Sequence, residues 1–121
     1  MANKGSNKPE PLPSDRASSL TELVEVAEGS IVSRVLAKSK GCNVTLFAFG
    51  RGQGLSEHTA PFDALVQVVE GTLDLRIGDA SVTVESGEIV RMPANVPHAL
   101  HAPVASRMVL TMLRDPGTDE E

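Results

Sequence analysis

The sequence predicts an all-β domain, either a sandwich or a closed antiparallel barrel, and two observations carry that reading. Short runs of β-branched and alternating apolar residues recur from Ile31 to Leu113, and turns containing Gly, Pro or Asp separate them at even intervals. The chain also has the size of one domain, since 121 residues and 12.8 kDa build a single core and not two.

Taken in order, residues 1–17 hold three of the eight prolines and almost nothing to bury, so a disordered tail is expected there. The barrel domain is expected over residues 18–114, and the acidic residues 115–121 are expected to be a solvated tail. Residues 18–26, SSLTELVEV, fit a short helix capped by Ser or Thr, or a strand in which Leu20 falls out of step with Leu23 and Val24; both readings stay open. Residues 31–37 are β-branched and bounded by glycine turns, which predicts a strand. Residues 43–49 predict a second, with Val44, Leu46 and Ala48 on one face and Thr45, Phe47 and Phe49 on the other. Apolar residues on both faces imply a strand covered on each side.

Three glycines between Gly50 and Gly54 then break the pattern. A phosphate-cradling loop would need a following GK[ST] and a helix, and neither follows, so this is a connector. The strand bearing His58 bends at Pro61 and Phe62, and residues 63–70 form the next strand, running into a Glu70-Gly71 turn. Residues 72–77 alternate cleanly, with Leu73, Leu75 and Ile77 facing inward. Gly78-Asp79 turns the chain back through residues 82–84. Residues 89–92, a Pro93–Pro97 loop, residues 98–102 and residues 107–113 complete the order.

A net charge of −5 and a pI near 5.1 exclude a nucleic acid or an anionic membrane as the natural partner. A small or neutral ligand is the expected one. The single cysteine, Cys42, allows no intramolecular disulfide and reads as a small core or edge residue. No apolar run has the length of a membrane span and no signal-peptide core is evident, so the expected location is cytoplasmic.

Two stretches carry the candidate chemistry. Gly54 to Gly71 contains His58, and Gly87 to His98 ends a strand-like run in a proline-bounded turn that delivers His98. If the strands bearing them are neighbours in an antiparallel barrel, the two imidazoles meet. Alternation places Ala60 on the face of His58, followed by Ala64, Val66 and Val68, and Leu100 on the face of His98, with His101 on the other side.

Both stretches resemble the two motifs of the cupins, small jelly-roll barrels whose motifs read G-x5-H-x-H-x3,4-E-x6-G and G-x5-P-x-G-x2-H-x3-N. His58 matches the first histidine and Gly71 the closing glycine, with Gly54 three residues before His58 and Gly52 at the usual five. Gly87, Pro93 and His98 match the second motif, with Asn95 at its inner glycine and Ala102 at its asparagine. Ala60 and Ala64 stand where the family has a second histidine and a glutamate, so this chain resembles small bacterial cupins with a reduced ligand set.

The resemblance implies a cupin-type jelly-roll β-barrel with a pocket centred on His58, Ala60, Ala64, Val66, His98 and Leu100. It also implies a divalent transition metal (Zn, Ni, Fe, Mn or Cu) at His58 and His98, although two imidazoles alone hold a metal weakly and the alternative is no metal at all. Asp63, Gln67 and Glu57 are candidate further ligands, each requiring a local twist because alternation puts them on the opposite face. Arg91 would serve as a cation for a bound carboxylate only if its strand turned it inward. With no Trp or Tyr and only three Phe, the pocket is expected to be small and lined by Val, Leu, Ala and Met. The leading expectation is a barrel that binds a small organic molecule, with or without a weakly held metal. The alternatives are a metal-dependent enzyme of dioxygenase or isomerase type, or a sensory or structural barrel without chemistry. The strand at residues 31–37 would present an open edge, so a homodimer is expected.

Overall fold

The computed structural model describes residues 11–114, with nine strands and no helix among them. The strands are β1 (Ile31–Lys38), β2 (Cys42–Phe49), β3 (Gly54–His58), β4 (Asp63–Glu70), β5 (Thr72–Ile77), β6 (Ala80–Glu85), β7 (Ile89–Met92), β8 (His98–His101) and β9 (Ser106–Leu113). They form a five-stranded sheet in the order β1-β2-β9-β4-β7 and a four-stranded sheet in the order β3-β8-β5-β6, with every pair antiparallel. The strand pattern predicted a sandwich or closed antiparallel barrel, and the jelly roll is the one that the cupin resemblance implied. Each predicted strand lies within two residues of an observed one, because alternation and turn residues agree along this part of the chain.

The two sheets bury their inner faces against each other. Phe49, Val66, Val68, Leu73 and Met108 are almost fully enclosed there, and the Phe47 and Phe49 rings stack at 5.9 Å. The opposite face of β2 is also covered, as its composition predicted: Leu46 and Ala48 pack with Val109 beneath Val24, which is itself buried.

Val24 belongs to the segment whose conformation the sequence left open, and it is neither helix nor strand. Residues 18–26 form a strap with one turn, in which Glu22 N–H donates to the Ser19 carbonyl (3.0 Å). Arg107 holds it down, donating from Nε to the Val24 carbonyl (3.0 Å) while its guanidinium pairs with Glu70. A tertiary tether thus replaces a local period. Residues 11–17 are irregular and mostly exposed; residues 1–10 and 115–121, the remainder of the two expected tails, lie outside the described residues. Among the described residues no helix is long and apolar enough to cross a membrane.

Two turns show why the motif residues are what they are. Gly71 has φ +90°, and a Cβ there would run into Ser106 and the Ala105 carbonyl, so only glycine fits between β4 and β5. Asn95, at the inner glycine of the second motif, has φ +63° and is the one non-glycine residue with positive φ among those described. Asparagine tolerates that left-handed conformation better than other side chains, which explains how the loop keeps its path.

Candidate functional site

The site forms where β3 meets β8. Leu55 pairs with Leu100 and His58 with His98, so three steps along β3 match two along β8 and the extra residue makes a bulge. Without it, Leu55 and His58 would face opposite sides of the sheet; with it, both line the same cavity. The bulge also supplies a hydrogen-bond partner. The Ser56 carbonyl lies 2.8 Å from His58 Nδ1, and in the loop before β8 the Val96 carbonyl lies 3.2 Å from His98 Nδ1.

Those two carbonyls accept only, and so assign the ring proton to Nδ1 in both histidines. Each Nε2 is then left with a bare lone pair. The two Nε2 atoms are 3.1 Å apart, with the rings edge to face at 74°. Two acceptors this close repel unless something electron-poor satisfies both. His98 is buried and His58 is exposed at the mouth. Burial, the largest influence, holds the His98 pKa below its ordinary value of 6.5; the neighbouring His58 acts in the same direction and the bond to Val96 opposes them.

The cavity beside the pair is about 60 Å³, room for a few water-sized bodies. Its walls are Leu55, Ala60, Phe62, Ala64, Leu100 and Leu110 with Met92, Met108 and Met112, so the two imidazoles are its only polar side chains. Of the residues expected from sequence, His58, Ala60, Ala64, His98 and Leu100 all line it. Val66 does not: it shares the inner face but is fully enclosed in the core, one alternation step along β4 from Ala64.

The candidate further ligands are elsewhere. Asp63 accepts the Ala94 N–H (2.8 Å) and pairs with Arg91 (3.3 Å), clamping the proline loop, while Gln67 and Glu57 are exposed. Arg91 faces solvent. Asn95 N–H donates to the Ala60 carbonyl (2.7 Å) and Gly78 N–H to the Pro97 carbonyl (2.8 Å), so the loop that presents His98 is fixed at both ends. His101 is exposed, as alternation requires. Sequence reasoning missed Met92 and Met112 as individual site residues, although the spacing of Met108, Leu110 and Met112 on β9 already places them on one face.

The fit to a metal divides in two. Bonds of about 2.0–2.1 Å closing between a right and a tetrahedral angle leave donor atoms roughly 2.9–3.4 Å apart, and the Nε2 pair lies within that range. Backbone bonds to the other ring nitrogens are also what orient metal-bound imidazoles. The rest of the family's set is missing, because Ala60 and Ala64 offer no donor. Among the described residues no group of three or more His, Cys, Asp or Glu side chains is placed to hold an ion. A divalent ion caged by three imidazoles and a carboxylate does not fit this chain.

Comparison with known proteins agrees with this fold. The family model for the cupin domain matches residues 45–114. A conserved protein of unknown function from Streptococcus pyogenes has the same fold, with a TM-score of 0.83 and 27% identity over 91% of this chain and 96% of that one. A cupin superfamily protein from Desulfitobacterium hafniense superposes with a TM-score of 0.83 at 26% identity, covering 89% of this chain and 99% of its own. A cupin 2 conserved barrel domain protein from Leptotrichia buccalis is 35% identical, with a TM-score of 0.74, over 77% of this chain and 45% of that one. No curated protein matches the chain.

Proposed function

This chain belongs to the cupin domain family, and from that premise we propose that it is a ligand-binding barrel whose two imidazoles receive the electron-poor end of a small molecule. The observation that carries the reading is the pair of Nε2 atoms 3.1 Å apart at one end of an otherwise apolar cavity, each on a ring whose Nδ1 faces a backbone carbonyl. Such a site favours a compact ligand with an apolar body and one hydrogen-bond donor. A divalent ion at the same nitrogens is held weakly, with water or the ligand completing its coordination.

A pair of isomers tests this. n-Butanol and diethyl ether have the same atoms, but only the alcohol has a donor. In NMR titrations n-butanol should shift residues around His58 and His98 and bind about fivefold tighter than the ether, the worth of one hydrogen bond. His58→Ala/His98→Ala, which removes both acceptors, should erase the difference. Equal binding of the two isomers, or shifts elsewhere on the protein, would refute the assignment.

A further inference from the structure

We infer that the cavity is a site for a soft monovalent metal ion, of the Cu(I) class, held between Nε2 of His58 and His98 and the thioethers of Met92 and Met112. The inference rests on the pocket reading above and names a ligand class for it. Its basis is the strand register. Ala64 is the Cα partner of Met92 on β7 and of Met112 on β9, so the three residues form a row across the inner face of the five-stranded sheet. All three line the cavity, as do the two histidines carried by the other sheet. Neighbouring strands are about 4.8 Å apart, so the methionines flank a methyl group too short to fill the space above it. The position left without a carboxylate has a methionine on each neighbouring strand.

Donor chemistry and charge select the same ion. Thioethers are soft, neutral donors that favour Cu(I), while imidazole accepts copper in either state. The cavity walls carry no carboxylate or thiolate, so nothing there neutralises a bound ion. The cost of placing an ion in such surroundings rises with the square of its charge, making a divalent ion about four times as costly as a monovalent one. His58, exposed at the mouth, gives an arriving ion its first ligand.

The test is an anaerobic titration of the full chain with Cu(I) in competition with a chromophoric chelator. The parent should withdraw one equivalent. Met92→Leu/Met112→Leu keeps the volume of both side chains and should weaken Cu(I) by at least about tenfold, since losing even an indirect support of a metal site costs that much. A readout on the unaltered protein guards against a variant that misfolds: Ag(I), a redox-inert ion of the same class, should shift the ε-methyl resonances of Met92 and Met112. Met108 also lines the cavity but lies four residues along β9 from Met112 and outside the row through Ala64, so its methyl should shift less than theirs. A parent that leaves Cu(I) with the chelator, a double variant that binds as tightly as the parent, or unmoved Met92 and Met112 methyls would each overturn the inference. If n-butanol is still preferred over diethyl ether in that case, the pocket reading survives; if that preference is also missing, both fall.

Discussion

His98 is the residue on which the site's behaviour with pH depends. Burial depresses its pKa in the folded protein, whereas in the unfolded chain it titrates near 6.5. Above that pH the ring is neutral in both states and costs nothing. As pH falls below 6.5 the unfolded chain takes up the proton first, so stability drops until the folded ring is protonated as well. His98→Gln lacks this contribution. The stability of the parent relative to His98→Gln, measured by denaturant unfolding of the metal-free protein, should therefore decline between pH 7 and pH 5. A constant or growing advantage would show that His98 is not held neutral by its surroundings.

At the scale of elements, what was legible in the sequence is what local rules determine. Strands β4 to β6 follow from alternation and from the Gly71 and Gly78 turns, where backbone and side-chain preferences agree. The bulge in β3 was not legible, because Ser56 and Glu57 carry no signal that distinguishes an extra residue from an ordinary polar strand. Yet it is the bulge that aims both Leu55 and His58 at the cavity. The strap was not legible either, since its position depends on a tether from Arg107, far along the chain, and on the apolar face of β2. That account makes a prediction. Val24→Ala, which removes buried apolar volume above Leu46 and Ala48, should cost about 1–2 kcal/mol. Deleting residues 1–17 should leave the melting temperature unchanged. Loss of stability from the deletion but not from the substitution would reverse the roles assigned to these segments.

At the scale of the whole molecule, the site belongs to neither sheet. The four-stranded sheet brings His58 to His98, and the five-stranded sheet closes the cavity with Ala64 and its flanking methionines. The meeting of the histidines could be anticipated from their motif positions, whereas the row through Ala64 depends on pairing between strands far apart in sequence, which no local pattern encodes. The central claim is that this assembly holds two bare Nε2 atoms toward one cavity, each ring fixed by a backbone carbonyl at Nδ1. Long-range ¹H–¹⁵N correlation spectra of the histidine rings above pH 7 in metal-free protein test it most directly. Both His58 and His98 should appear as Nδ1–H tautomers with unprotonated Nε2; a proton on Nε2 of either ring would contradict the account.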